Sequence, residues 1–505
     1  MSDHHNICLL NDSFLPIIDG VANAVVNYAK NIERSHGHSL VVTPDVPGAD
    51  DSGYPFPVIR YPSIDVRKQL GYVAGYPFSP EAAYRIRAEK AELLHIHCPI
   101  MSALLARQLR ESLQLPLVLT WHTKYDIDIA NAIHSKLLQK GATQALMNNV
   151  NACDEVWTVS EGAGDNLRSL GYEGDIIVMP NGVDLPRGRV SDEAVQEAVR
   201  EYDLPEGVPV FLFVGRLMWY KGLRIILDGL KALADEGIDH RMVFIGSGTD
   251  ADEVQAYSRE LGLGSSCVFT GAIRERDTLR AWYTRADLLL FPSTFDTNGL
   301  VVREAAACDL ATVMIAGSCA SEGVTDGRNG FFIEENADSM AAMLRKLCAE
   351  PQRMRQVGET AGRELYLSWE NAVANACERY EIVIDNYRSG RYPVRRSVLE
   401  EGFMKSQGDL MEAFGSAGAA GRELQQGLRE FRQDALDEMD AFRVDLISSV
   451  EAARDDLMRG IQAQKEQFRS DLNDLQEGFR AAAAKAEAKR EKREKEIWDY
   501  LERYM

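Results

Sequence analysis

The chain has 505 residues, of which 45% are hydrophobic, so it is long enough for about three domains with cores of their own and is not a largely disordered protein. A formal net charge of −21 argues against nonspecific nucleic-acid binding, because phosphate backbones select clustered Lys and Arg. The eight cysteines lie far apart, with no C-x-x-C pair and no histidines at ligand spacing, which predicts reduced, mostly buried thiols and no metal site.

The polar start MSDHHN runs directly into strand-like ICLL, leaving no room for a signal segment, and no stretch reaches eighteen consecutive apolar residues. A cytoplasmic chain is expected, soluble or peripheral on the inner face of a membrane. Short apolar runs then alternate with amphipathic segments, the pattern of repeated βαβ units and a parallel sheet. ICLL, SLVVT, LLHIH, LPLVLT and EVWTVS read as strands of a first domain ending near Asp184. VFLFVG, RMVFIG, CVFTG, DLLLFPS and ATVMIA read as strands of a second. In the first, Gly20 sits between a strand and the helix-like VANAVVNYAKNI, where the missing side chain lets backbone approach a phosphate, unless it is only a tight turn. Between Arg60 and Lys140, eleven Lys or Arg stand against seven Asp or Glu, a local balance of +4 that fits either an anionic partner or an ordinary solvated face.

In the second domain, VGRLMWYKG (Val214 to Gly222) follows a strand and supplies two cations, Arg216 and Lys221. FDTNGLVVREA (Phe295 to Ala305) places Asp296 in a loop and Glu304 on the helix that follows. Breaking the bond between an anomeric carbon and a diphosphate leaves negative charge on phosphate, which a catalyst must neutralise as it develops. Arg216 binds phosphate oxygens as a planar fork and Lys221 adds a point charge. Backbone amides after Asn298, Gly299 and Leu300 add oriented donors at a helix start, so no obligatory metal is expected. Each cation alone reads as a surface residue; their joint spacing argues for a site.

These segments resemble those of retaining nucleotide-sugar glycosyltransferases of GT-B architecture, in the family with an E-x7-E signature, which here reads D-x7-E from Asp296 to Glu304. The resemblance runs from about Ile7 to Tyr387 and includes NDSFLPIIDGVANAV, LTWHTKYD, VWTVS, VMPNGVD and ADLLLFPS. It implies an α/β fold of two Rossmann-like domains facing a cleft: an acceptor domain over 1–184, a nucleotide-sugar domain over 185–370, and a helix over 371–390 returning to the first. It also implies that Arg216 and Lys221 hold the diphosphate, Glu304 the ribose hydroxyls and Asp296 the donor sugar. His122 would line the cleft near that sugar, orienting a hydroxyl or stabilising charge, while Tyr125 and Asp126 would face the acceptor, although Asp126 equally suits a helix cap. HTKYD and DTNGL look closer to segments of the diacylglycerol glucosyltransferases, which makes a glycerolipid the first acceptor expectation. A polysaccharide or soluble acceptor is the alternative. A noncatalytic sugar-binding scaffold would not be expected to keep Arg216, Lys221 and Glu304.

After a linker over 391–421, the residues 422–505 are rich in charge and Ala and read as long helix. Leu428, Met439, Val450, Ile461 and Leu472 recur every eleven residues, the period of a nearly straight or slightly right-handed coil. From Arg422 to Arg480, fourteen acidic side chains outnumber nine basic ones, which disfavours an anionic bilayer and favours a homo-oligomer through this coiled-coil-like tail.

Overall fold

The computed structural model describes residues 5–17, 19–65, 73–126, 129, 135–392 and 404–412. The expected tail repeat and most of the linker lie outside the described residues.

Two parallel sheets carry the fold. The first orders its strands β3-β2-β1-β6-β7-β8-β9, from β1 (His5–Leu10), β2 (Gly37–Pro44), β3 (Val58–Tyr61), β6 (Leu93–Ile96), β7 (Leu117–Trp121), β8 (Glu155–Thr158) and β9 (Ile176–Val178). A small antiparallel hairpin, β4 (Ser63–Asp65) with β5 (Val73–Gly75), stands beside it. The second sheet orders its strands β12-β11-β10-β13-β14-β15, from β10 (Val210–Val214), β11 (Arg241–Ile245), β12 (Cys267–Gly271), β13 (Leu288–Phe291), β14 (Thr312–Ile315) and β15 (Phe331–Ile333). Strands β6, β7, β10, β13 and β14 are buried at every residue, as expected where helices cover both faces of a parallel sheet. The strand order reverses between β1 and β6 in one sheet and between β10 and β13 in the other. Ligands in open α/β sheets bind just beyond the strand ends at such a reversal.

The helix Trp369–Arg388 packs on the first sheet's layer: Trp369, Val373, Tyr380 and Ile384 share one buried cluster with Leu9, Tyr28 and Ile32. Ser368 starts it by accepting a hydrogen bond from the Asn371 amide. Residues 404–412 are helical and also rest on the N-terminal lobe. Met411 is fully buried, its sulfur accepts from the Ser79 amide at 3.1 Å, and Glu412 pairs with Arg87. Gly408 lies so close to helix Met101–Leu113 that a Cβ there would sit 1.9 Å from the Gln108 carbonyl oxygen. All eight cysteines are free; Cys8 and Cys308 are buried and the other six only partly so, less than the expectation.

Candidate active site

The site is assembled where β10 and β13 end. Beyond β10 the chain makes a one-turn 3-10 helix, Trp219–Lys221, and Gly222 at φ 76° then opens the helix Leu223–Asp235. A Cβ on Gly222 would lie 2.1 Å from the Pro292 carbonyl oxygen, just past β13, so only glycine lets the two loops interlock. This contact draws Lys221 inward. Its side chain is 8% exposed and its Nζ lies 2.7 Å from Asp296 Oδ1, with the Tyr220 and Phe295 rings 5.5 and 5.8 Å away. Asp296 and Lys221, expected on sugar and diphosphate respectively, therefore hold each other, and an ammonium with three donors keeps others for phosphate. Lys221 is not the surface cation it resembles in isolation. Arg216 is exposed, with its guanidinium 6.0 Å from the Tyr220 ring.

Two further groups in this loop are buried without partners among the described residues: Asp296 Oδ2, and both the oxygen and nitrogen of the Asn298 amide. Asn298 is 7% exposed, and an unsatisfied buried amide is costly unless something else bonds it. Gly299, at φ 56°, turns the chain into the helix Leu300–Ala307, whose N-terminus has no side-chain cap. Glu304 rides on that helix, 13% exposed at its side chain, and accepts from Arg276 Nη2 and Tyr283 Oη at 2.9 Å each. Burial and the neighbouring carboxylate push the Tyr283 phenol well above its usual range, so it remains a donor. Arg276, Tyr283 and Thr297 escaped the sequence reading, since their roles depend on packing between distant segments.

The opposing lobe meets this loop directly. Thr297 Oγ1 donates to the His122 carbonyl at 2.8 Å, the Ser160 hydroxyl donates to the Thr297 carbonyl, and Lys124 Nζ reaches the Thr294 carbonyl at 3.4 Å. Glu322 of the C-terminal lobe accepts from the Glu161 and Gly162 amides at 2.7 Å each, filling the N-terminus of helix Glu161–Ser169 with a carboxylate. These contacts latch the lobes together. Glu322→Ala is expected to raise KM for the donor about tenfold, the lower range for charge-assisted bonds at a half-exposed position. Steady-state kinetics with an unchanged KM would remove the latch from the account.

The remaining expected residues are placed differently from one another. His122 is 7% exposed after β7, and burial pushes its imidazole down to about 3, so it is neutral at pH 7 and acts as a dipole, not as a cation. Tyr125 turns into the N-terminal core, edge-on to Trp121 at 4.7 Å; at 8% exposure it does not present an open face to an acceptor. Asp126 lies in a helical turn with Tyr125 and accepts from Asn166 at 3.0 Å. Gly20 is the first residue of helix Gly20–Ser35, capped by Asp19 through the Ala22 amide, and a Cβ there meets open space.

His122 belongs to a buried trio with His95 and His97, all with pKa lowered chiefly by desolvation. Groups of depressed folded pKa contribute stability that is fully present above the unfolded value near 6.5 and is lost as pH falls below it, because the unfolded chain takes up protons that the folded one refuses. Each histidine costs about 1.4 kcal/mol per pH unit there. The melting temperature is expected to fall from pH 7 to pH 5, and less steeply in His97→Asn; equal slopes would contradict the burial of His97.

Among known families, residues 195–364 match the model described as Glycosyl transferases group 1, and residues 18–187 that of Glycosyltransferase Family 4. An alpha-monoglucosyldiacylglycerol synthase of Acholeplasma laidlawii is 24% identical over 350 residues, 67% of this chain and 87% of that protein. One of the same name from Streptococcus pneumoniae is 22% identical over 386 residues, 75% of this chain and 86% of that one. The crystal structure of Anabaena Alr3699/HepE in complex with UDP has a TM-score of 0.61 at 18% identity, covering 75% of this chain and 100% of that one, a likeness of fold.

Proposed function

We propose that this chain, which belongs to the GT-B glycosyltransferases, moves a hexose from a nucleoside-diphosphate sugar to a glycerolipid hydroxyl with retention at the anomeric carbon. The observation that carries this is the pairing of buried Lys221 with half-buried Asp296, in the same loop as the Asn298 amide, which has donor and acceptor both unspent. That combination suits a diphosphate and a polyhydroxyl ring together. Glu304, steadied by Arg276 and Tyr283, keeps lone pairs for ribose hydroxyls. The acceptor assignment draws on the two relatives whose names make them synthases of an alpha-linked glucosyldiacylglycerol. From an α-linked donor such as UDP-glucose, an α-linked product means retention.

The step that fits retention without an evident nucleophile is same-face attack. The bond from C1 to the diphosphate oxygen breaks, the acceptor oxygen bonds to C1 from the same side, and its proton passes to a departing phosphate oxygen. Lys221 and Arg216 take up the charge left on the diphosphate. Among the described residues, no helix is long and apolar enough to cross a membrane. A glycerolipid acceptor implies contact with a bilayer.

The test is a panel of nucleotide sugars, UDP-glucose first, scored for slow hydrolysis alone and for transfer to diacylglycerol in anionic vesicles. An α-linked glycolipid is the expected product. Failure to consume any donor would defeat the reading; transfer only to soluble acceptors would defeat its lipid part.

A further inference from the structure

Behind His122 the N-terminal lobe buries a column of imidazoles. The His95 and His97 rings are 4.1 Å apart, and His97 stacks on His122 at 5.2 Å with 27° between planes. His95 spends both nitrogens, Nδ1 with the Tyr380 hydroxyl at 2.6 Å and Nε2 with the Thr120 hydroxyl at 2.7 Å. His97 Nδ1 lies 2.9 Å from His122 Nε2, while His97 Nε2 is buried with no partner among the described residues.

A hydrogen bond between two neutral imidazoles needs one N–H and one lone pair, so only two arrangements exist. In one, His122 donates from Nε2; His97 must then carry its proton on Nε2, a buried N–H without an acceptor, a costlier defect than an unfilled lone pair. In the other, His97 donates from Nδ1 and leaves only a lone pair without a partner. That second arrangement forces the His122 proton onto Nδ1.

We propose that His97 is a positioning residue that fixes His122 as its Nδ1–H tautomer, so that His122 offers a sugar oxygen in the cleft a donor and not a lone pair. His122 also lies at the seam between lobes, where its carbonyl receives the Thr297 hydroxyl at 2.8 Å. The role in transfer rests on the function proposed above; the tautomer itself does not.

The full chain, labelled with 15N-histidine and free of donor, is examined by imidazole 15N–1H correlation at neutral pH, with the His122 signals assigned by their loss in His122→Gln. The expected pattern is a protonated Nδ1 and a bare Nε2 at His122. In His97→Leu the pattern is expected to shift toward the Nε2–H form and kcat to fall about tenfold with KM for the donor nearly unchanged. His97→Asn, whose amide nitrogen can take the place of Nδ1, is expected to restore both within about twofold. An Nε2–H tautomer in the unmodified chain overturns the inference, as does an unchanged tautomer in His97→Leu. Inactivity toward every nucleotide sugar would instead sink the proposed function and leave the spectrum standing.

Discussion

Lys221→Ala is expected to lower kcat by about 10² to 10³, the range seen when one preorganised charge-stabilising group is removed. The argument is the burial of the ammonium: its side chain is 8% exposed, so in the proposed reaction it would meet the leaving diphosphate with little water in between. It also carries a control. Removing the lysine strands Asp296, whose second oxygen is already without a partner, so part of the loss could be structural. Lys221→Arg keeps the charge and the pairing but changes the shape, and should recover only part of kcat. Arg216→Ala should cost less, about tenfold, because that guanidinium is exposed and more screened. Near-normal turnover in both alanine variants would overturn the assignment of the diphosphate to these cations.

Asp154→Ala is expected to be the most destabilising single change in the N-terminal lobe, by about 3 to 5 kcal/mol. Arg110 is wholly buried on helix Met101–Leu113; its Nη2 meets both Asp154 oxygens at 2.9 and 2.7 Å and its Nη1 donates to the Ala152 carbonyl at 2.7 Å. The same carboxylate accepts from the Leu117 amide at 2.8 Å, where β7 begins. Removing it leaves the desolvated guanidinium with only the partly exposed Glu111 carboxylate, 3.6 Å from its Nε, and frees the start of the strand that leads to His122. Replacing both partners together, Arg110→Met with Asp154→Leu, should cost much less than either alone, since no charge is then stranded. Urea unfolding of Asp154→Ala, the two single replacements and the double one checks this; a loss below about 1 kcal/mol for Asp154→Ala would show that water reaches the pair.

The architecture could be read from the chain because its central strands are continuous apolar runs: VFLFV and LLLF leave little other choice. What escaped were short edge pieces. β3, β9 and β15 have three or four residues, several half-exposed, and give no run long enough to separate from loop. At the site, Lys221, Asp296 and Glu304 announced themselves by spacing along the chain, yet their partners come from elsewhere in sequence. Nothing in the charge pattern of RERDTLRAWYTR around Arg276 and Tyr283 points to a carboxylate 28 residues beyond the first and 21 beyond the second. His97 was visible only as the end of a strand, because a stack of imidazoles is a property of neighbouring strands and not of one. Tyr125 misled for a related reason: the helical turn after β7 rotates it toward Trp121, and one residue of phase decides inside from outside.

The contact made by residues 404–412 has a practical corollary for anyone trimming this enzyme. A version stopped near residue 390 retains both sheets and the returning helix, so it looks complete, but it uncorks the socket that Met411 fills and strips Arg87 of its carboxylate. One stopped just past Glu412 keeps the plug. Differences in solubility between those two lengths would report on a hydrophobic hole, and should not be mistaken for an effect of whatever the distal segment does.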